Sequence, residues 1–306
     1  MSQMMQKIRL YWIVSLVILF FHSVDSKRTN LRNPFTIIEK KNNSEPRPVI
    51  YTFFTLKREK FGPNLDRNIH EALLDVWVKL WTEAGWEPRI LTLEDAKKHP
   101  NFDKYSKAVA SIDRLFDGSY NYLCFMRWLA MAAHGNGGWM SDYDVFPMGI
   151  TTEPGITLPN SGSFTCWDIY IPSLLSGNND EWNRMTLILL DFVIEDSQKA
   201  SRSIKKRISD MNGLRAINAE NPDTFIHEQK VFQGFPYYEE KYRMACYTLS
   251  KSKIYAVHLS HVGTAHAIEH GLVNYSGGNV IENVERVRPK LALELDENWR
   301  KQCLVT

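Results

Sequence analysis

The chain has 306 residues, a formal net charge of +2, and 44% hydrophobic and 24% charged residues. That profile belongs to a folded protein of one or two domains and excludes a disordered or collagen-like chain. Its 12% aromatic content, with nine Trp and thirteen Tyr, supplies planar surfaces for packing or for sugar rings, and no Lys/Arg block offers the phosphate-neutralising stripe of a nucleic-acid binder.

Residues 10–24 (LYWIVSLVILFFHSV) form an apolar run preceded by Lys7 and Arg9 and followed by Lys27 and Arg28. At about 15 residues it lies between a signal-peptide core and a comfortable membrane span of roughly 17–25 residues. Two readings follow. Residues 1–26 are either a signal peptide cleaved after Ser26, with Val24 and Ser26 as the small residues before the cut, or an uncleaved anchor of a single-pass type II protein. Either places the remainder in the secretory pathway, in the Golgi or ER lumen or outside the cell after cleavage. A buried core helix fits less well, because polar chain flanks the run. The sequons at Asn42 and Asn274 are compatible with that address. The four cysteines allow three full pairings in an oxidising compartment and show no metal-binding spacing.

Residues 27–47 are polar and broken by Pro34 and Pro46, which reads as a stem. The folded body, 48–306, opens with a strand-length apolar run at 49–56. Ile69, Leu73, Val76, Trp77, Leu80 and Ala84 then recur at helical spacing, with Gly85 where a left-handed C-terminal residue belongs. A strand over 89–93 and a helix over 121–134 follow, the order expected of an α/β fold with a mostly parallel sheet. Beyond Gly135 the spacing predicts a strand at 139–146, an irregular region at 147–179, a helix at 182–195, strands at 245–249 and 254–259, and a polar tail.

The strongest chemical signal is Gly137-Gly138-Trp139-Met140-Ser141-Asp142-Tyr143-Asp144-Val145. In an extended run the period of two puts Asp142 and Asp144 on one face. Paired carboxylates make a hard-oxygen site for Mn²⁺ or Mg²⁺, and such a cation can bridge a diphosphate. The double glycine lets the chain turn sharply and lets backbone approach a ligand.

Together with Arg127-Trp128-Leu129-Ala130, this run resembles the DXD-containing glycosyltransferases of the GT-A fold, in particular the group of the yeast initiating α-1,6-mannosyltransferase and the lactosylceramide α-1,4-galactosyltransferase. The resemblance is close over about 20 residues. It implies a Rossmann-like, nucleotide-sugar-binding domain that moves a hexose from a UDP- or GDP-sugar to a glycan, glycolipid or glycoprotein acceptor, with retention. It also implies that Asp144 binds the cation on the donor diphosphate, that Asp142 contacts the donor and assists at the metal, and that Arg127, with Gly137 and Gly138, lines the donor pocket. The chain departs from the family just upstream, where 121–126 (NYLCFM) lacks the usual acidic residue.

That family commonly takes a third metal ligand from a His near the end of the domain, and His258 and His261 in 255–263 (YAVHLSHVG) are both candidates. A zinc cluster of His258, His261, His266 and His270 has no nearby Cys and no suitable spacing. Retention demands no strong base, whereas inversion requires a positioned carboxylate, for which Glu228 and Asp168 are the acids to test. Small polar residues at 171–179 suit either an acceptor cleft or a loop in which Asn179 or Asp180 caps the next helix. Trp139, Trp167 and Trp182 suit sugar stacking or, better, the core. A haloacid-dehalogenase-type phosphatase calls for Thr or Val where the chain has Phe146, and a glycoside hydrolase needs no Gly-Gly-led acidic pair. The alternative of another class is a secretory carbohydrate-binding protein without turnover.

Overall fold

A computed structural model describes residues 46–55, 67–115, 118–199, 201–205, 207–236, 244–271 and 280–304. The apolar run at 10–24, its cleavage site, nearly all of the stem and both sequons lie outside these residues. Among the described residues, no helix is long and apolar enough to cross a membrane.

Strand β1 (Val49–Phe53) leads to helix α1 (Arg67–Glu83), and β2 (Glu87–Leu91) follows. Gly85 between them has φ +89°, and a Cβ there would lie 2.9 Å from Thr152 Cγ2, so glycine is required twice over. Two short helices, α2 (Leu93–Ala96) and α3 (Phe102–Ala110), precede the long α4 (Gly118–His134). Then come β3 (Gly138–Ser141) and β4 (Val145–Pro147). The irregular region holds α5 (Glu153–Ile156), β5 (Thr165–Cys166) and β6 (Leu174–Gly177). Helices α6 (Asn179–Gln198) and α7 (Asp210–Glu220) are followed by β7 (Ile226–His227), β8 (Val231–Gln233), α8 (Cys246–Lys251), β9 (Ala256–His258), α9 (His261–Glu269) and α10 (Val280–Cys303).

The strands build an α/β fold with a mixed sheet in the order β2-β1-β3-β6-β5-β7 and a smaller sheet β4-β9-β8. Most pairings are parallel, including β1 with β2 and with β3, while β6 runs antiparallel to β3 and β5. Both faces of the larger sheet are covered. Ile50, Trp139 and Leu174 point into one core, built with Trp77, Trp81 and the α10 residues Leu291 and Leu295. Their neighbours Tyr51, Met140 and Leu175 point into the other, built with α4 and α6. Double burial explains why these strands read as continuous apolar runs rather than alternating ones. Trp139, Trp167 and Trp182 are at most 1% exposed, so they are core residues and not sugar platforms.

Five expectations are corrected. The single strand at 139–146 is two strands in different sheets, joined by a turn at Asp142–Asp144 in which Val145 N–H donates to Asp142 O (3.1 Å). The strand at 245–249 is helix α8: Leu249 is buried while Tyr247 is 73% exposed, and so short an apolar run does not distinguish helix from strand. Residues 171–179 hold the buried strand β6, and Asn178, one residue before the two suggested caps, accepts from Glu181 N–H at the start of α6. The polar tail is mostly helix, and α10 packs on α1 and α9. Of the three full cysteine pairings none forms: Cys246 and Cys303 are joined, and Cys124 and Cys166 are free thiols.

Candidate metal and donor site

The order of the larger sheet places a switch point between β1 and β3, because the chain leaves β1 toward β2 on one side and returns to β3 on the other. Open α/β sheets bind ligands outside the carboxyl ends of the strands at such a point. Asp142 immediately follows β3 there. Two indoles one turn apart on α1 pin the turn from both sides: Trp77 Nε1 donates to Ser141 Oγ (2.9 Å) and Trp81 Nε1 to Val145 O (3.0 Å). The turn, rather than an extended run, is what brings both carboxylates to one place.

Asp142, Asp144 and His258 each offer a ligand atom, and these atoms lie within 4.8 Å of one another. His258 arrives as the last residue of β9, which pairs with β4 so that Val145 opposes His258. Its Nε2 faces Asp144 Oδ1 at 3.5 Å, and its Nδ1 faces Asp168 Oδ2 at 3.6 Å. Asp168 is itself held by Ser173 Oγ (2.7 Å) and by the Gln233 amide, which also lies 3.1 Å from His258 Nδ1. A carboxylate behind the imidazole, fixing its orientation, is the usual outer shell of a metal-binding His. Two carboxylates and an imidazole suit Mn²⁺ or Mg²⁺.

Buried guanidiniums neutralise the acids from behind. Arg127, on α4, pairs with Asp142 and, through Nη2, with Asp210 of α7 (2.6 Å). Arg288, on α10, donates through Nη1 to Asp144 Oδ2 (2.9 Å) and Leu259 O (3.1 Å), and Nη2 pairs with Glu285. Arg127 is shared between two acids, so it only partly offsets the burial and the Asp144 charge that push the Asp142 carboxyl up. Burial would also raise Asp144, but His258 and Arg288 together hold it down. Burial alone would lower His258, but Asp144, Asp168 and Asp142 together outweigh it and raise the imidazole to about 10, so it carries a proton in the cation-free protein.

The other expected residues go elsewhere. His261 pairs with Glu285 (2.8 Å) and is 43% exposed in its side chain, while His266 and His270 stack on each other with centroids 3.9 Å apart; the histidines share no zinc site. Glu228 faces Lys230 at 4.0 Å, and Asp168 faces His258 Nδ1. Gly137 precedes β3 and Gly138 opens it, at the end of the strand opposite Asp142. A Cβ on Gly137 would meet Asn179 N at 2.5 Å, so that glycine admits the start of α6 rather than a ligand. Sequence reasoning missed Arg288, Asp210, Gln233 and His70, whose Nδ1 lies 3.1 Å from the Tyr143 hydroxyl. Only the β8–β9 pairing could have suggested one of them, since Gln233 lies beside His258 in register.

A family model described as Domain of unknown function (DUF8765) matches residues 40–262, a span that includes Asp142, Asp144 and His258 and stops before Arg288. No curated protein and no solved structure matches the chain.

Proposed function

We propose that this chain, which belongs to the family described as Domain of unknown function (DUF8765), is a metal-dependent glycosyltransferase that moves a hexose from a UDP- or GDP-sugar to a glycan, glycolipid or glycoprotein acceptor. The observation that supports this most is the convergence of Asp142, Asp144 and His258 at a sheet switch point, where a nucleotide would bind. The resemblance of 127–145 to DXD-containing transferases of the GT-A fold adds the reaction class.

Asp142 and Asp144 would hold the cation, with His258 Nε2 as the third ligand once its proton leaves. The cation, when bound, offsets the charge that builds on the departing nucleoside diphosphate. Asp168 and Gln233 keep the imidazole turned so that Nε2 faces the acids. Arg127 and Arg288 hold one carboxylate each in place. No side-chain nucleophile is demanded, and burial pushes the Cys124 and Cys166 thiols far up and out of reach of thiolate chemistry. With retention, the acceptor hydroxyl attacks from the leaving-group face, and no base like Glu228 or Asp168 is required. The Cys246–Cys303 disulfide supports a secretory address such as the Golgi or ER lumen or the exterior.

A second reading, carbohydrate binding without turnover, draws on the Arg288–Asp144 pair, which already neutralises part of the acidic pair without a cation. Electron paramagnetic resonance of added Mn²⁺ separates the two. The expected result is loss of the free-ion signal on adding protein, strengthened by UDP or GDP and weakened at least tenfold by Asp144→Asn. A free-ion signal unchanged by the wild-type protein, with or without nucleotide, would overturn the transferase reading.

A further inference from the structure

Helix α4 carries more than Arg127 toward the site. Tyr120, Cys124 and Arg127 stand at i, i+4 and i+7 of this helix, so they form one stripe on its surface. Exposure rises along that stripe: Arg127 is 7% exposed, Cys124 intermediate and Tyr120 51% exposed. The stripe therefore runs from the buried Asp142 partner out to the rim. The Tyr120 hydroxyl turns inward and hydrogen-bonds the Cys124 thiol. Its pKa is raised, first by the Cys124 sulfur, then by burial and by the charges of Asp142 and Asp144. Half of the residue's surface nonetheless stays open. The exposed Tyr, Phe or Trp residues among those described are Tyr120 and Tyr247, and Tyr247 has the Lys251 ammonium 5.7 Å from its ring centroid.

We propose that Tyr120 is the stacking platform of a pyranose subsite at the mouth of the Asp142–Asp144 site, with the apolar face of a sugar ring on the phenol and ring hydroxyls donating to the Asp142 carboxylate. The chemistry suits a sugar. Asp142 is buried only in part, its side chain being 28% exposed, and an ionised carboxylate is an acceptor only. A ring bearing several hydroxyl donors and an apolar C–H face matches an acceptor beside an aromatic plane. This inference rests on the transferase reading and names a binding residue for it. The pyranose is either the sugar on the donor or the terminal sugar of the acceptor.

The test uses the full chain with Mn²⁺ and saturation-transfer NMR. Its probes are UDP and GDP, a panel of UDP- and GDP-hexoses, and the methyl glycosides of glucose, galactose and mannose. Tyr120→Ala, at an exposed position, is compared with Tyr120→Phe, which keeps the ring and loses the hydroxyl, and thermal melts check that both fold. Expected is about 3- to 10-fold weaker pyranose binding for Tyr120→Ala, near wild-type binding for Tyr120→Phe, and unchanged binding of UDP or GDP alone. Weakening confined to nucleotide sugars assigns the subsite to the donor; weakening of the methyl glycosides assigns it to the acceptor. The proposal is overturned if Tyr120→Ala binds every pyranose probe as wild type does, if no pyranose probe binds the wild type, or if Tyr120→Phe loses as much as Tyr120→Ala. UDP or GDP binding that survives in those cases leaves the transferase reading standing; absence of all nucleotide binding sinks that reading itself.

Discussion

His258 carries a proton between Asp144 and Asp168 in the cation-free protein, and a divalent cation must displace it. The imidazole is raised from 6.5 to about 10, so the stability it lends the cation-free protein is complete below about pH 6.5 and is lost as pH rises through about 10. The cation wants the neutral ring, so Mn²⁺ affinity should rise with pH from 6 to 8, by up to about tenfold per unit. Calorimetry in two buffers of different ionisation enthalpy should detect close to one proton released per Mn²⁺, and an affinity flat across that range would contradict the assignment of His258. Asp144 needs a careful substitution: alanine strands the buried Arg288 and costs about 3–5 kcal/mol, whereas asparagine keeps the shape and accepts from the guanidinium. Thermal melts should therefore place Asp144→Asn well above Asp144→Ala while neither binds Mn²⁺ tightly. Asp142 and Asp144 were legible in the sequence because a Gly-Gly turn and an apolar strand lead into them. Arg288 was not, since it reaches Asp144 across 144 residues of sequence from a helix with no local motif.

Helix α1 positions the site through its indoles. Trp77→Phe keeps most of the buried area but leaves Ser141 Oγ without its 2.9 Å donor, one residue from Asp142. The expected cost is about 1–2 kcal/mol, read by urea denaturation, together with weaker Mn²⁺ binding; a variant as stable as wild type would show that the indole bond does not hold the turn. The spacing of Ile69 to Ala84 made α1 readable, because amphipathic periodicity over several turns is a strong signal. The break between β3 and β4 was not readable: Trp139 to Phe146 is apolar enough to pass for one strand, and only the second sheet's pairing with β9 reveals that the chain changes sheets at Asp142–Asp144. The period of two in an extended run thus pointed to two carboxylates that the structure does bring together, though by a turn rather than by an extended strand. The opposite failure occurred at 171–179, where small residues suggested a loop but every residue of β6 is buried.

At the scale of the molecule, the covalent tie between α8 and the end of α10 closes 57 residues of chain around the segment that carries both His258 and Arg288. Chain entropy assigns such a loop about 4 kcal/mol, so a Cys246→Ser, Cys303→Ser variant should lose about 2–4 kcal/mol in denaturant melts; a loss below about 0.5 kcal/mol would show that packing of α10 on α1 and α9 suffices. The α/β class and the order of the first strands and helices were legible because propensity and burial agree there. Most of the last third, apart from β9 within the expected strand at 254–259, was not, because its helices are short, polar or lie far in sequence from the groups they touch. The most direct measurement is nucleotide-sugar hydrolysis by the full chain across UDP- and GDP-hexoses, with Mn²⁺ or with chelator. Expected is turnover of at least one donor that requires the cation and is abolished by Asp144→Asn. No cation-dependent turnover of any donor, together with nucleotide binding that Asp144→Asn leaves unchanged, would contradict the assignment of Asp142, Asp144 and His258 as a donor-binding metal site.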